Sequence, residues 1–400
     1  MAVLYAHPDR WIKYDASLII SELTEAKALI LSLTTIPFQK SWAKALQALE
    51  LKREVAGTSK IEGADFTDKE FEDAISGEAP EHQLTRSQRQ ARAAIFTYTW
   101  IEKLGDRPID TGIMLEIHRR IVTGCDDDHC APGQVRGAGQ NVVFGRPRHR
   151  GVEGGSECEK ALERLIDALN HEFRAHDPLI QALAFHYHIG AMHPFQDGNG
   201  RTARAAEALV LQRAQLKDSL FIAMSNFYYD EKDTYLACLS AVRENDFDLT
   251  PFLKFGLRGL AVQCQRLLKE IKTHVTRSLF RDVMNQMYKR LQSTRKRALA
   301  NRQVAILERL LEKDGPVDLE DFFNAIFRHY SKLQNPYAAY IRDLNHLIKL
   351  RAIEARKVDK SKFNLTIRLE WPTEITETDF FREMNKLPEA KTRLLISPSY

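Results

Sequence analysis

Apolar residues recur every three or four positions along most of this 400-residue chain, which places them on one face of an α-helix. Residues 158–173 carry one such stripe, made of Leu162, Leu165, Ile166, Leu169 and Phe173. A longer stripe covers residues 266–302 and predicts a single long helix there. The pattern therefore predicts a mainly α protein.

Two stretches depart from the helical period and predict short strands. Val142, Val143 and Phe144 form a β-prone run within a glycine cluster, where seven of the 19 glycines lie between Gly133 and Gly155. Because glycine permits tight turns, we expect a small hairpin or mobile flap there. The second stretch has apolar residues at every other position, typical of a strand with one buried face: Leu365, Ile367, Leu369 and Trp371.

Three helical blocks precede this second strand, at Gln303–Lys313, Leu319–Phe327 and Tyr337–Leu350. Together with a strand pair that turns at Asp359–Lys362, they predict a C-terminal winged helix-turn-helix. Such a domain binds DNA or docks proteins, and both roles stay open. The residues that would face a DNA groove are Arg342, His346, Lys349 and Arg351.

The same pattern divides the chain into segments. We expect an N-terminal helical region (1–108), a core (109–262), a long basic linker helix (263–302), the winged-helix-like domain (303–375) and a C-terminal tail (376–400). Residues 266–302 contain 11 lysines and arginines against two acidic residues, a net charge of +9. Nucleic-acid binding and a solvated linker face explain this charge equally well.

Composition limits the class of protein. Hydrophobic residues make up 44% and charged residues 28% of the chain, and 58 basic residues face 54 acidic ones. This excludes wholesale disorder and a histone-like protein. No secretory signal and no apolar run of membrane length are evident, so we expect a cytoplasmic protein without membrane contact. Five cysteines without a C-x-x-C pair indicate reduced thiols, and we interpret the Asp126-containing loop between Cys125 and Cys130 as polar and solvated.

The stretch from His193 to Arg204 carries the clearest chemistry, and it reads His-Pro-Phe-Gln-Asp-Gly-Asn-Gly-Arg-Thr-Ala-Arg. Pro194 disfavours helix at His193, so the imidazole is presented at a helix end as a candidate general base. The glycines then open a new helix, whose free N–H groups bind phosphate. Arg201 and Arg204 share one helical face and indicate a polyphosphate. Asp197 is a suitable ligand for Mg²⁺ that bridges phosphate oxygens.

This stretch resembles the signature of Fic-domain proteins, His-Pro-Phe-x-Asp/Glu-Gly-Asn-Gly-Arg-x-x-Arg, at every specified position. The resemblance implies an α-helical core that transfers AMP from ATP to a protein hydroxyl and releases pyrophosphate. His193 would deprotonate the hydroxyl and Asp197 would hold Mg²⁺. Gly198, Asn199 and Gly200 would form the anion hole, with Arg201 on the β-phosphate and Arg204 on the γ-phosphate. Phe195 would anchor the loop, and Gly200 favours AMP transfer over phosphorylation.

Two further segments extend the resemblance. Pro132–Arg136 followed by Val142, Val143 and Phe144 is similar to the family's flap, which pairs with the backbone of the target protein. Lys232–Tyr235 is similar to a segment that borders the adenosine pocket, although Tyr235 is equally well explained as an ordinary core aromatic. The histidines His186 and His188 are interpreted as core or capping residues rather than metal ligands.

An upstream hexapeptide resembles the family's inhibitory signature, Ser/Thr-x-x-x-Glu-Gly/Asn. It runs from Thr58 through Glu62 to Gly63. The resemblance implies that Glu62, on an N-terminal helix, pairs with Arg204 and takes the place of the γ-phosphate. ATP would then bind in an unproductive pose.

The combined expectation is a protein adenylyltransferase inhibited by its own Glu62, with ATP as co-substrate and Mg²⁺ as cofactor. Its acceptor would be a Ser, Thr or Tyr hydroxyl of another protein or of itself. Two alternatives stay open: removal of AMP at the same site, and a DNA-binding regulator with a nucleotide-sensing core. A homodimer and DNA binding through the C-terminal domain are further open interactions.

Overall fold

The computed structural model describes residues 3–36, 40–64, 66–77, 80–126, 128–214, 221–291, 294–359 and 362–386. The chain forms two compact units, Met1–Leu268 and Lys269–Tyr400. Helices dominate both units and the sheets are small, so the mainly α fold predicted from the sequence is confirmed. Within the described part of the chain, no helix is both long enough and apolar enough to cross a membrane.

The first unit is built around α7, whose side chains are buried on nearly all sides. A helix that is apolar all round belongs at the centre of a domain, and α8 packs along it. The helices of this unit are α1 Ala16–Thr35, α2 Lys40–Ile61, α3 Asp68–Ser76, α4 Arg86–Glu102, α5 Thr111–Val122, α6 Ser156–Asn170, α7 Pro178–Met192, α8 Asn199–Ala214, α9 Met224–Asp230 and α10 Lys232–Glu244. The next helix, α11 Thr250–Lys289, begins in this unit and ends in the second.

Local sequence explains where several of these helices begin. Thr85 caps α4, and its side chain and that of Gln88 satisfy each other's backbone N–H groups in a capping box. Asp177 caps α7, and Pro178 occupies the first helical turn, where its missing N–H costs nothing. Helix α2 packs against α4 and α9, and this packing brings its C-terminal end to the first turn of α8.

A three-stranded sheet forms the predicted flap, with strand order β1-β3-β2. β2 (Val143–Phe144) and β3 (His149–Arg150) are antiparallel, with Phe144 opposite His149. β1 (Val3–Leu4) runs parallel to β3. The sequence predicted the hairpin but gave no sign of this N-terminal strand, since two residues are too few for a periodic pattern.

The second unit has a core of its own, and Trp371 lies in it. Its helices are α12 Thr294–Leu311, α13 Leu319–Ile326, α14 Pro336–Lys349, α15 Trp371–Glu374 and α16 Glu377–Asn385. Its strands are β4 Val317–Asp318, β5 Ile353–Lys357 and β6 Phe363–Ile367, in the antiparallel order β4-β6-β5.

Three boundaries differ from the expectations. The predicted linker helix over 263–302 is instead divided between α11, which ends at Lys289, and α12. Between the two helices, the carbonyl of Leu291 accepts from the side chain of Arg297. The predicted strand stops at Ile367, since Trp371 starts a new helix with Pro372 in its first turn.

The predicted C-terminal tail also contains structure. Helix α16 buries Phe380 and Met384, which are four residues apart on one helical face, in the core of the second unit. The remainder of that segment, residues 387–400, lies outside the described residues.

Candidate active site

The candidate base lies where α7 ends. His193 closes this helix in a left-handed backbone conformation (φ 49°, ψ 62°), and its N–H donates to the carbonyl of Ile189 at 3.0 Å. A non-glycine residue adopts this conformation rarely. The following Pro194 disfavours continued helix at His193, so the prediction that the helix stops at the base is confirmed.

The hydrogen bonds of His193 identify which ring nitrogen can accept a proton. Nδ1 lies 2.5 Å from the carbonyl oxygen of Gly190. Because a carbonyl only accepts, Nδ1 carries the hydrogen and Nε2 keeps its lone pair. Burial lowers the pKa of His193 to about 4, while the nearby charges of Arg136 and Arg243 act in the same direction. The imidazole is therefore neutral at pH 7 and ready to accept a proton.

The flap covers one face of this base. The ring of Phe144 stacks on the imidazole of His193 with centroids 3.6 Å apart and planes 9° from parallel. The guanidinium carbon of Arg243 lies 5.3 Å from the centre of the same phenyl ring. Of the flap residues singled out from the sequence, Phe144 therefore reaches the base, whereas Val143 is exposed and the Val142 carbonyl accepts from Gly151.

Arg136 joins the flap to the catalytic loop. Its buried guanidinium donates to the carbonyl oxygens of His193 (2.7 Å), Gln140 (2.5 Å) and Val152 (2.5 Å). The sequence placed Arg136 within the flap segment but did not indicate this role, because its partners are carbonyl groups that any residue type supplies.

The loop after the base is held closed by its own side chains. Phe195 is fully buried, which agrees with its predicted anchoring role. The Asn199 side chain accepts from the N–H of Phe195 at 2.9 Å and donates to its carbonyl at 2.8 Å. Both ends of this amide are thus used within the loop, so its backbone N–H is the group of Asn199 that remains for the predicted anion hole.

Gly198 is the position in this loop where a side chain would not fit. Its φ is +75°, in the left-handed region, and an added Cβ would lie 2.7 Å from Cγ1 of Val122. Gly200 is similarly close to a neighbour, since an added Cβ there would meet Oε1 of Glu62 at 2.6 Å. Both glycines keep the backbone N–H groups of the first turn of α8 accessible.

His118, on α5, is a residue that the sequence did not single out. Its ring stacks on Phe195 at a centroid distance of 3.7 Å. The N–H of Gly133 donates to Nδ1 at 3.0 Å, so Nε2 carries the hydrogen and donates to the Asp197 carbonyl at 3.1 Å. Burial lowers the pKa of His118 to about 4. This neutral histidine positions the loop that presents Asp197.

The inhibitory motif lies against Arg204. Helix α2 ends at Ile61, and the next residue, Glu62, places Oε1 2.5 Å from Nη2 of Arg204. The hydroxyl of Thr58 accepts from Nε of the same arginine at 2.8 Å. Gly63 follows with φ +87°, a conformation that favours glycine. Burial works against ionisation of Glu62, but the charge of Arg204 outweighs it and lowers the pKa of Glu62.

Arg201 is paired as well, with a carboxylate that the sequence did not identify. Its Nη1 lies 2.6 Å from Oδ2 of Asp126, which has no exposed surface and also accepts from Arg86 and Gln90. The interpretation of the 125–130 loop as solvated is therefore wrong at Asp126. The Asp126 carboxylate is buried because it pairs with these side chains. The sequence next to Asp126 does not indicate these distant partners.

Asp197 faces a cavity of about 160 Å³ that is also lined by Glu62, Arg86 and Arg201. Its Oδ1 accepts from the N–H of Gly198 at 2.6 Å, and its side chain is 42% exposed. No group of three or more metal-ligating side chains occurs within the described ranges. One carboxylate oxygen near the N-terminus of α8 is nevertheless a donor that suits Mg²⁺, since this ion takes most of its ligands from phosphate and water.

Tyr235 lies beneath this site rather than in an open pocket. It is buried, its hydroxyl is 2.9 Å from Nε2 of His186, and its ring stacks on Tyr228. This burial agrees with the core alternative, and a place at the border of the adenosine pocket stays a prediction for Tyr235. His186 and His188 are buried as predicted: the former bonds to Glu207 and the latter to the carbonyl of Trp11.

The comparisons with known proteins agree with this geometry. Residues 108–211 match the model of the Fic/DOC family. The chain carries a Fic domain. Over 161 residues, or 40% of its length, it is 30% identical to a protein adenylyltransferase, fic-1, from Caenorhabditis elegans, and over 168 residues it is 29% identical to the protein adenylyltransferase Fic of Nematostella vectensis. It spans 29% and 34% of these relatives, about a third of their length.

Solved structures show the same fold. A Fic family protein from Desulfovibrio desulfuricans is 20% identical, with a TM-score of 0.58 over 91% of this chain and 98% of the other. Fic-1 from Caenorhabditis elegans is 21% identical, with a TM-score of 0.54 over 65% of this chain and 74% of the other. The first of these likenesses extends beyond the Fic domain itself, so the helices on both sides of it belong to a recurring architecture.

Proposed function

We propose that this Fic-domain protein is an adenylyltransferase that transfers AMP from ATP to a hydroxyl side chain of a target protein or of itself. The observation that carries the proposal is a neutral His193 base beside a helix N-terminus with two arginines. The names of the curated relatives favour this reaction over AMP removal and over a purely regulatory role.

In the proposed reaction the acceptor hydroxyl approaches the Nε2 edge of the His193 imidazole, whose face Phe144 covers. Nε2 of His193 takes the hydroxyl proton as the oxygen attacks the α-phosphorus, and the bond to pyrophosphate breaks. The N–H groups at the start of α8 and the guanidinium groups of Arg201 and Arg204 bind the negative charge of the phosphates. Mg²⁺, held by Asp197, would neutralise charge on the phosphate oxygens.

Autoinhibition is part of the proposal. The carboxylate of Glu62 occupies a donor of Arg204 at 2.5 Å, and a γ-phosphate needs that same donor. Because two anions cannot share it without repulsion, the pair would exclude the productive pose of ATP. Thr58 adds a second contact that keeps Arg204 turned toward α2.

The test uses ATP labelled on either the α- or the γ-phosphate, with the full chain and Mg²⁺. We expect Glu62→Gly to raise incorporation of the α-label into a target or into the chain itself, and His193→Ala in that background to abolish it. Incorporation of the γ-label would contradict AMP transfer, and equal activity of wild type and Glu62→Gly would contradict autoinhibition. Release of AMP from a modified target by the wild type would instead support the reverse reaction.

For the second unit we infer a winged-helix-like domain, in the chain order α12, β4, α13, α14, β5, β6. Of the four residues expected to face DNA, Arg342 and Arg351 are exposed and Lys349 is half-buried, whereas His346 is buried and accepts from Gln303. DNA binding and protein docking are both compatible with this face. Salt-sensitive binding of a DNA duplex that Arg342→Gln weakens would favour the former.

We also propose a cytoplasmic location, because all five cysteines are free thiols and four of them are buried. The resistance of these thiols to pairing under mild oxidation is measurable by mass spectrometry of the purified chain.

A further inference from the structure

Arg86 brings a third guanidinium group to the phosphate site. It occupies the first position of α4, directly after the capping residue Thr85, and lies outside the segment that matches the family model. It lines the same cavity as Asp197 and Arg201. Its Nε and Nη2 lie 2.9 and 2.5 Å from Oδ1 of Asp126, and Nη2 is 4.0 Å from Oδ2 of Asp197.

The charges around the site balance in this conformation. Three guanidinium groups face three carboxylates: Arg86, Arg201 and Arg204 against Asp126, Asp197 and Glu62. A neutral site has little attraction for a polyphosphate, so an incoming anion requires that some cation leave its carboxylate partner.

Arg86 is the guanidinium best able to do so without leaving a buried charge unpaired. Its side chain is 51% exposed, whereas those of Arg201 and Arg204 are 4% and 2% exposed. Asp126 would keep Arg201 and Gln90 as partners after Arg86 turns away. Release of Arg201 would instead leave its buried guanidinium without a carboxylate partner, which is far more costly.

We propose that Arg86 is a phosphate-binding residue that turns from Asp126 toward the cavity and binds the β- and γ-phosphates of the nucleotide. This inference rests on the proposed function and deepens it, since it assigns a ligand for the part of ATP that leaves as pyrophosphate. The ligand class it implies is a nucleoside triphosphate rather than a monophosphate. The fork of the guanidinium suits two phosphate oxygens at once.

The experiment measures binding without turnover, by calorimetric titration of the full chain carrying Glu62→Gly and His193→Ala with Mg²⁺-ATP and, separately, with AMP. We expect Arg86→Gln to weaken ATP binding by about 10- to 50-fold, the usual effect of losing a charge-assisted bidentate contact, and to leave AMP binding unchanged. Arg86→Lys keeps the charge but loses the fork, so we expect an intermediate affinity for ATP.

Arg107→Gln provides the matched control. It makes the same change of charge at an exposed arginine that pairs with Asp110 across a 3.8 Å surface contact, and it should leave both affinities unchanged. If Arg86→Gln lowers the affinities for ATP and AMP equally, or lowers neither, the proposal is wrong. The Lys variant and a thermal melt of each protein separate loss of binding from loss of folding.

The outcomes also separate this inference from the proposed function. Tight ATP binding that depends on Arg86, without any AMP transfer by the Glu62→Gly chain, would overturn the enzymatic proposal and keep the phosphate site. AMP transfer by the Glu62→Gly chain, with an ATP affinity that does not depend on Arg86, would support the enzymatic proposal and overturn the role assigned to Arg86. A Glu62→Gly chain that binds no ATP would overturn both.

Discussion

Arg201 and Arg204 lie three residues apart on α8, and each is paired with a carboxylate, at 2.6 Å in one case and 2.5 Å in the other. The surroundings of the two pairs differ. Asp126 is entirely buried and also accepts from Gln90 and Arg86, whereas Glu62 is 35% exposed and follows the last residue of a helix. Pairs of nearly equal length therefore differ in how easily they can separate.

This difference assigns distinct roles to two otherwise similar contacts. A buried pair with further hydrogen bonds on its carboxylate holds its arginine in place permanently, because separation would strand charge away from water. A pair with one partner partly in water can separate, since solvent compensates the freed carboxylate. We infer that Asp126 fixes Arg201 for binding and that Glu62 withholds Arg204 from it.

The largest expected effect comes from breaking the fixed pair. Asp126→Asn leaves the buried guanidinium of Arg201 without a counter-charge, and breaking a buried ion pair in this way costs about 3–5 kcal/mol. We expect the free energy of unfolding in urea to fall by that amount and AMP transfer by the Glu62→Gly chain to fall more than roughly 100-fold. Unchanged stability and activity would show that the two pairs are equivalent.

The releasable pair should respond in the opposite direction. Glu62→Gln keeps the shape of the side chain but removes its charge, so Arg204 becomes available to phosphate. We expect AMP transfer to rise roughly tenfold, the effect of losing one hydrogen bond to a charged group. We expect a smaller loss of stability than for Asp126→Asn, because the glutamine carbonyl can still accept from the buried Arg204. Glu72→Gln removes the same charge from an exposed ion pair with Lys52 and should change neither quantity. A loss of activity in Glu62→Gln would contradict the assigned role.

Thr58 allows a finer test of the same pair. Thr58→Val keeps the volume of the side chain and removes the acceptor for Nε of Arg204. One neutral acceptor stabilises the inhibited arrangement only modestly, so we expect AMP transfer to rise about threefold. If transfer falls instead, Thr58 contributes to the active state rather than to the inhibited one. Initial rates with α-labelled ATP measure this.

The smallest expected effect is that of pH between 6 and 8. The pKa values of Asp126 and Glu62 are lowered, against burial, by their arginines, so both pairs persist across this range. The charged groups that face His193 are Arg136, Arg243 and Glu62, and burial holds its pKa at about 4.

We therefore expect the rate of the Glu62→Gln chain to change less than about twofold between pH 8 and pH 6. An imidazole with an ordinary pKa would lose roughly fourfold, since protonation removes the accepting lone pair. Phe144→Ala admits water to the face of the imidazole and should raise the pKa of His193. The acid limb of the pH–rate profile should therefore move toward higher pH.

The chemistry of the site was more predictable than its scaffold. The segment from His193 to Arg204 and the pairing of Glu62 with Arg204 followed from local sequence together with a family resemblance. Asp126, His118 and Arg136 did not, because each has a partner that lies 57 to 79 residues away, and two of these three partners are backbone carbonyls. A residue that bonds to a backbone carbonyl or to a distant guanidinium is not marked by any local sequence motif.

The fold was predictable in part. Helical periodicity gave the class and most elements, but the helix expected over 263–302 proved to be two. Periodicity identifies the apolar face of a helix, but it does not identify the residue at which the helix ends. His346 illustrates the same limit, since a histidine on a basic helix looks exposed in sequence, while its hydrogen bond with Gln303 places it in the core.

The guanidinium of Arg136 binds carbonyl groups on both sides of the flap and at the base itself. The flap, which would bind the target protein, is thus connected by hydrogen bonds to the base that would react with it. A new recognition sequence grafted onto the hairpin to redirect the proposed activity should keep Arg136 and Phe144 and vary Val143 and the exposed tip. Changes at the first two would alter reactivity together with choice of target.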